Sequence, residues 1–335
     1  MKTKKSDIPM IPVDAARDII DERLRDRRVP SETIPVRQAA GRFLAVDQRS
    51  NVALPPFDKS AVDGFAVRDD FSGGELRLAG NVQAGESGTG PLAAGTTVKV
   101  MTGAPVPPGT GRVIMIEYAT ESNGVVSFDN PPASGNVSKK AEDVAAGDII
   151  LTAGSRIGAV EIANLIGSGV STVEVARPVT VAVLATGDEI VDSPSDLTPG
   201  KIMNSNGPLM SHLAARYGMT VTHEDTVPDD LDRLTAALKT ALEKCDMVVM
   251  SGGVSVGEFD FVPEAVAACG LEIHFSHVAI KPGKHITFAT GENSIFIGLP
   301  GNPVSVYLMF QLYVLRAAGL LSGTLYEPKQ FKLRL

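Results

Sequence analysis

The residues best equipped for chemistry lie between Asp246 and Asp260, DMVVMSGGVSVGEFD, where an apolar run gives way to glycines and then to acids. Asp246 to Met250 is short and continuously apolar after its first residue, which suits a strand buried on both faces of a parallel sheet. Ser251 to Gly257 brings small residues and Gly252, Gly253 and Gly257. Backbone of that kind takes positive φ and turns its N–H groups toward a phosphate or another oxyanion. Glu258 and Asp260 follow at once. Carboxylates beside an anion cradle repel the anion unless a cation bridges them, so the simplest reading is an Mg²⁺-phosphate site. An ordinary strand-to-helix turn with solvated acids fits the same residues, and the stretch alone does not decide between them.

Other stretches offer complementary groups. TGDEI, Thr186 to Ile190, follows an apolar segment and places Asp188 and Glu189 beside Thr186 and Gly187, and Asn204, Ser205 and Asn206 add amides and a hydroxyl suited to a sugar or heterocycle edge. LPGNP, Leu299 to Pro303, sets Pro300, Gly301, Asn302 and Pro303 at the start of a long apolar helix, whose N-terminus would attract an anion. Lys281 and Lys284 sit on a proline-glycine turn and would give compact positive charge to phosphate or oxyanion oxygens. Earlier in the chain, KVMTGAPVPP carries Thr102 out of an apolar segment into a turn, where its hydroxyl serves either an oxyanion or the turn itself. Lys139, Lys140, Glu142 and Asp143 form a mixed-charge cluster that reads, alone, as solvated surface. No Walker A, G-x-G-x-x-G or H-E-x-x-H occurs, and the five histidines form no zinc pattern.

The frame that must hold these groups follows from length and periodicity. At 335 residues two or three domains are expected. A net charge of −8, 5% aromatics and no tryptophan argue against nucleic acid and anionic membrane as partners and leave a small anionic substrate open. Cys245 and Cys269 have no C-x-x-C spacing and read as buried thiols of a reducing compartment. Lys2, Lys4 and Lys5 are followed by no apolar run, and Val304 to Leu315 is too short to span a bilayer, so a cytoplasmic protein is expected.

Apolar spacing predicts an amphipathic helix over Val13 to Arg28. From Asn51 to about Gly147 short segments alternate between glycines, with strands expected at Leu76–Ala79, Thr97–Met101, Arg112–Ile116 and Val125–Phe128. A helix is expected over Gly158–Ile166. After Pro178 the pattern is α/β. Strands are expected at Val179–Ala185, Met219–His223, Asp246–Met250 and Ser294–Gly298, with Leu271–Phe275 and Ile286–Ala289 as weaker candidates. Helices are expected at Gly207–Tyr217, Asp229–Lys244, Pro263–Ala268 and Pro303–Ala318. Such alternation predicts a doubly wound, mostly parallel sheet with ligands beyond the carboxyl ends of its strands.

Five stretches then give the chain a family likeness: PPFDKSAVDGFAVR from Pro55, KVMTGAP from Lys99, ATGDEIV from Ala185 with its NSN, SGGVSVGEFDF from Ser251, and KPGK from Lys281 with GLPGNPVSVY from Gly298. In this order the chain closely resembles the molybdopterin molybdenumtransferase family, MoeA in bacteria and the E domain of gephyrin in animals. The resemblance implies a multidomain α/β protein. Its parts would be an elongated helical and β linker or dimerisation domain over 1–50 with 148–177, an inserted β-rich domain over 51–147, and a MogA-like, molybdopterin-binding α/β domain over 178–323. Residues 324–335 would be the start of a C-terminal β-barrel.

The resemblance further implies a homodimer in the cytoplasm that takes adenylylated molybdopterin and molybdate, with Mg²⁺, to molybdenum cofactor and AMP. A molybdoenzyme or another cofactor-biosynthesis protein would be a further partner. Asp63, Thr102, Asp143, Glu189, Asp229, Asp260 and Lys281 fall on the family's functional positions, with Glu189 and Asp260 as Mg²⁺ ligands. Thr186, Gly187, Asn204, Ser205, Ser251, Gly252, Gly253, Ser255, Gly257, Lys284, Pro300, Gly301, Asn302 and Pro303 would bind the substrate. Lys59, Ser138, His277 and His285 depart from the family pattern, His277 standing where a basic residue is usual and His285 where proline is. These departures leave a non-catalytic molybdopterin or cofactor carrier as one alternative; an Mg²⁺-dependent nucleotide pyrophosphatase is another, because the α/β domain resembles that of other pterin and nucleotide proteins.

Overall fold

A computed structural model describes residues 9–133, 135–253 and 261–328. Two compact units emerge, one of residues 1–47, 152–162 and 172–335, the other of residues 48–151 and 163–171. The helix Ala159–Gly167 crosses the division.

The larger unit is built on a six-stranded sheet in the order Thr220–Val227, Thr180–Thr186, Met247–Ser251, Ile295–Leu299, His285–Thr290 and Glu272–His277. The first four strands run parallel, and the last two close the edge antiparallel. Successive side chains of a strand point to opposite faces, and here both faces are apolar. Val181, Val183, Met247 and Val249 enter one core with Ala16, Ile20 and Leu24 of the helix Val13–Leu24 and with Val306, Met309 and Phe310. Ala182, Leu184, Val248 and Met250 enter the other, against Leu234, Leu238 and Ala241 of the helix Leu231–Lys244 and Val262, Ala265 and Val266 of the helix Val262–Ala268. Full burial of each Val, Leu, Ile, Met or Phe among these stabilises by about 1.5–3 kcal/mol.

Several elements differ from the sequence expectation; the strand expected at Met219–His223, for example, runs over Thr220–Val227. The first helix ends at Leu24 rather than Arg28: the Arg27 N–H turns back to the Leu24 carbonyl at 3.1 Å and the Val29 N–H goes to the Leu321 carbonyl at 2.9 Å. The helix expected from Asp229 starts at Leu231, since Asp230 is its cap and accepts the Arg233 N–H at 2.9 Å. The last helical stretch runs from Pro303 through a π turn at Phe310–Val314 to Leu321, long and apolar enough by composition to cross a membrane, but 67% buried within the fold. Cys245 is buried and Cys269 half-buried, both are free, and burial pushes the Cys269 thiol up.

The smaller unit carries a second six-stranded sheet, ordered Thr110–Met115, Gly64–Arg68, Thr96–Val100, Glu75–Val82, Val125–Phe128 and Ala119–Ser122. Its pairs are antiparallel except Glu75–Val82 with Thr96–Val100. Ala66, Val82, Val98, Val100 and Val113 fill one face, while Val67, Leu76 and Ile114 fill the other. Gly64 pairs with Val100, so the residue before one strand lies beside the residues after its neighbour. That register brings Asp63 to Thr102.

Candidate active site

The carboxyl ends of the parallel strands surround a cavity of about 370 Å³ in the larger unit. Loops far apart in sequence meet there because the strands they follow are neighbours. The Thr180–Thr186 strand delivers Thr186, whose hydroxyl donates to Asp229 Oδ1 at 2.7 Å, and Asp188 Oδ1 accepts the Asp229 N–H at 3.1 Å. Asp230 already caps the following helix, so Asp229 is left to face the cavity. Gly187, at φ +149°, lets the Glu189 carboxylate fold back: a Cβ at Gly187 would lie 2.6 Å from Glu189 Oε2. Glu189 and Asp229 thus line the same cavity.

Asn204 is spent on structure. Its Nδ2 donates to Asp192 Oδ1 and Thr226 Oγ1, both at 2.9 Å, and its Oδ1 accepts the Gly207 N–H at 2.9 Å, which fixes the start of the helix Asn206–Arg216. Asn206 ties three loops together, donating from Nδ2 to Ser251 Oγ at 2.7 Å and to the Gly301 carbonyl at 2.8 Å. Its Oδ1 is buried without a partner among the described residues. Ser251 in turn donates to the Pro300 carbonyl at 3.2 Å.

The glycines after Ser251 are required sterically. Gly252 has φ +94°, and a Cβ there would lie 2.2 Å from the Thr186 carbonyl oxygen. A Cβ at Gly253 would meet Val262 Cγ2 at 2.6 Å and Thr186 Cγ2 at 2.9 Å. The bare backbone therefore passes against the neighbouring strand end, as a cradle for a ligand must. Gly252→Ala is expected to displace this turn, weaken substrate binding more than tenfold, and lower the melting temperature, both readable by ligand titration and thermal denaturation.

The structure sorts the sequence-predicted residues clearly. Thr186, Gly187, Glu189, Asn204, Ser205, Asp229, Ser251, Gly252, Gly253, Pro300, Gly301 and Pro303 line the cavity together. Asn302 instead caps the helix from Pro303, accepting from the Val304 and Ser305 N–H groups at 3.0 and 3.4 Å. Lys281 and Lys284 are exposed on their turn and do not line the cavity. Ser255, Gly257 and Asp260 lie outside the described residues. In the smaller unit Asp63 Oδ1 accepts from the Thr102 N–H at 2.6 Å and its hydroxyl at 2.7 Å, and the Thr102 hydroxyl, then its N–H, hold the Asp63 carboxyl below its usual range. Asp143 is exposed there, and its N–H donates to the Leu54 carbonyl at 3.0 Å.

The cavity also contains residues that the sequence reading left out of the site. Ala185, Ile190, Ile202 and Met203 give it an apolar wall, and Asn206 and His285 add polar groups. Asn206 was legible as the last residue of NSN, and His285 as the residue after KPGK. His285 stands opposite His277 across the antiparallel edge pair, with ring centroids 5.0 Å apart at 72°. Burial, then the neighbouring His285 and Lys284 charges, holds His277 below its usual pKa, and burial with Lys284 does the same for His285. Both shifts favour the neutral imidazoles, and both Nδ1 atoms are buried without partners among the described residues.

Comparison with known proteins finds likenesses along nearly the whole chain. A model described as the MoeA N-terminal region (domain I and II) matches residues 11–169, and one described as a probable molybdopterin binding domain matches residues 182–318. The molybdopterin molybdenumtransferase of Staphylococcus epidermidis is 36% identical over 303 residues, covering 88% of this chain and 72% of that protein. The chain belongs to the molybdopterin molybdenumtransferase family. Its relative of the same name in Staphylococcus aureus is 34% identical over 330 residues, covering 96% of this chain and 78% of the relative. Among solved structures, the molybdopterin biosynthesis MoeA protein from Pyrococcus horikoshii matches with a TM-score of 0.79 at 29% identity, over 94% of this chain and 80% of that one. The multidomain α/β architecture is thus the family's. The cavity falls within the segment that matches the molybdopterin-binding domain model.

Proposed function

We propose that this protein is a cytoplasmic, homodimeric molybdopterin molybdenumtransferase that inserts molybdate into adenylylated molybdopterin with Mg²⁺ and releases AMP. The observation that carries the reading is the cavity itself. In a chain of this family, an acidic pair, a side-chain-free backbone turn and a proline-glycine loop converge at the carboxyl ends of the parallel strands. Ser251, Gly252, Gly253, Pro300, Gly301 and Pro303 would hold the substrate backbone, with Thr186, Gly187 and Ser205 at its edge. The buried Asn206 Oδ1, still lacking a donor, is suited to an N–H of the substrate.

The donor set fits Mg²⁺. Among the described residues no group of three or more His, Cys, Asp or Glu gathers as a closed metal cage. Mg²⁺ does not need one, since it is commonly held by one or two carboxylates together with substrate phosphates and water. Glu189 and Asp229 would supply such all-oxygen ligands, and the ion would neutralise charge on the phosphoanhydride; Asp260, the other ligand expected from the sequence, lies outside the described residues. Thr186 and the Asp188 carboxylate orient Asp229 through their bonds to it. Lys281 and Lys284 would meet the molybdate or phosphate oxygens, and Asp63, Thr102 and Asp143 would form the partner subunit's contribution.

The deciding measurement is AMP release from adenylylated molybdopterin by the purified protein with Mg²⁺, with and without molybdate. Molybdate-dependent release is expected. Tight binding without release would instead make the protein a carrier of pterin or finished cofactor. That second reading draws on the neutral His277 and His285, which leave less positive charge near the lysine turn.

The histidine pair gives a pH test of the same site. Their folded pKa values are depressed, so at about pH 8 both are uncharged, and only well below the ordinary value near 6.5 do they add positive charge. His277→Lys is expected to tighten anion binding several-fold at about pH 8, and much less at about pH 5. Equal gains at both pH values, in a molybdate or phosphate titration, would remove His277 from the anion's surroundings.

A further inference from the structure

A second cavity of about 200 Å³ lies at the other end of the same parallel sheet, beside the amino-terminal starts of the Thr180–Thr186 and Thr220–Val227 strands. Its wall is mainly apolar, with Val179, Met219, Leu315 and Ala318, and the rings of Tyr217 and Tyr326 meet edge to face on it, 5.9 Å apart at 80°. Both tyrosine hydroxyls donate to Gln311 Oε1, at 3.2 and 3.3 Å, so the rings are held in place.

Among the described residues three arginines border this cavity and no carboxylate does, in a chain whose net charge is −8. Two of the three are engaged. Arg42 donates to the Ala176 carbonyl at 2.7 Å and pairs with Glu32, and Arg177 makes two bonds to the Asp246 carboxylate, each 2.7 Å. Arg156 is exposed and has no hydrogen bond or ion pair among the described residues. An idle guanidinium at the mouth of an apolar slot presents a flat fork to a carboxylate while the slot accepts an apolar body. The space is about half that of the cavity at the carboxyl ends of the strands, a scale that suits one or two fused rings.

We propose that this cavity is a binding site for a small aromatic carboxylate, with its ring against Tyr217, Tyr326 and Met219 and its carboxylate on Arg156. A bare inorganic anion would leave the apolar wall wet, and a neutral ring would leave Arg156 unused. Neither matches the lining as well. The site does not depend on the molybdopterin cavity, so its test is a binding test.

The chain has no tryptophan, so indole emission reports the ligand alone. Indole-3-acetate and its neutral amide are titrated with the full chain, with Arg156→Leu and with Tyr326→Ala. Saturable binding of the acid is expected, at least tenfold tighter than the amide. Arg156→Leu, a substitution at an exposed position, should remove that preference and leave the amide unchanged, while Tyr326→Ala should weaken both. Equal affinity for acid and amide, an acid affinity untouched by Arg156→Leu, or no saturable binding would each overturn the proposal. Ser205→Leu, at an exposed position that lines the other cavity, serves as the control for it. Loss of indole-3-acetate binding in that variant would place the ligand there and also overturn it.

Discussion

Glu189→Gln is expected to leave the fold intact and to lower molybdate-dependent AMP release by about 10²–10³-fold, the usual cost of removing one preorganised electrostatic group from a reacting centre. The side chain is exposed, follows the last residues of a buried strand, and carries no hydrogen bond among the described residues that the fold relies on. Glutamine keeps its shape against Gly187 and removes only the charge. If that charge holds Mg²⁺, raising the Mg²⁺ concentration should recover part of the loss, whereas a purely steric role for Glu189 predicts no recovery. Single-turnover release at increasing Mg²⁺, with a melting curve as the control for folding, separates these outcomes. Asp229→Asn should behave less cleanly, because Asp229 also accepts the Thr186 hydroxyl and its change disturbs the strand end. Unchanged release in Glu189→Gln would remove the acidic pair from the chemistry.

The same contrast explains what could be read from sequence. Val181 to Ala185 and Met247 to Met250 were legible as strands because both faces of the sheet bury apolar side chains, which leaves a short continuous apolar run. Ser31–Pro35 and Thr172–Ala176 pair with each other as strands, yet Ser31–Pro35 is mostly exposed and polar, so no periodicity marks it. Gly64–Arg68 is fully buried over its first four residues but short, and the turn-rich PPFDKSAVD before it masks the signal. In the cavity, the glycines, acids and proline loop announced themselves by residue type. Asn206 was visible as an amide of NSN, but its role in tying loops together was not, because its partners Ser251 and Gly301 are 45 and 95 residues away. The charge state of His277 was also beyond the sequence, since burial and a cross-strand neighbour decide it.

Asp246 shows how a residue at the head of the central stretch can matter for stability rather than chemistry. It sits at the amino-terminal end of the Met247–Ser251 strand, away from the acidic pair, and its carboxylate takes two bonds from Arg177 at 2.7 Å each. Two more come from Thr180, from its N–H at 2.8 Å and its hydroxyl at 2.7 Å. One side chain therefore locks the starts of two adjacent parallel strands and the arginine that precedes them. Burial pushes the Asp246 carboxyl up, but the Arg177 and Thr180 bonds outweigh it and the net direction is down. Asp246→Ala strands these donors around a half-buried site and is expected to cost about 2–3 kcal/mol, a fall of about 5–10 °C in melting temperature for a unit of this size. The sign with pH follows from the lowered folded pKa. The contribution is complete above the unfolded value near 3.9 and is lost as pH falls through the lower folded value. Wild type and Asp246→Ala should therefore differ most in denaturant melts near neutral pH and converge in strong acid. A difference that persists undiminished in acid would mean that packing, and not the carboxylate, holds the strand starts together.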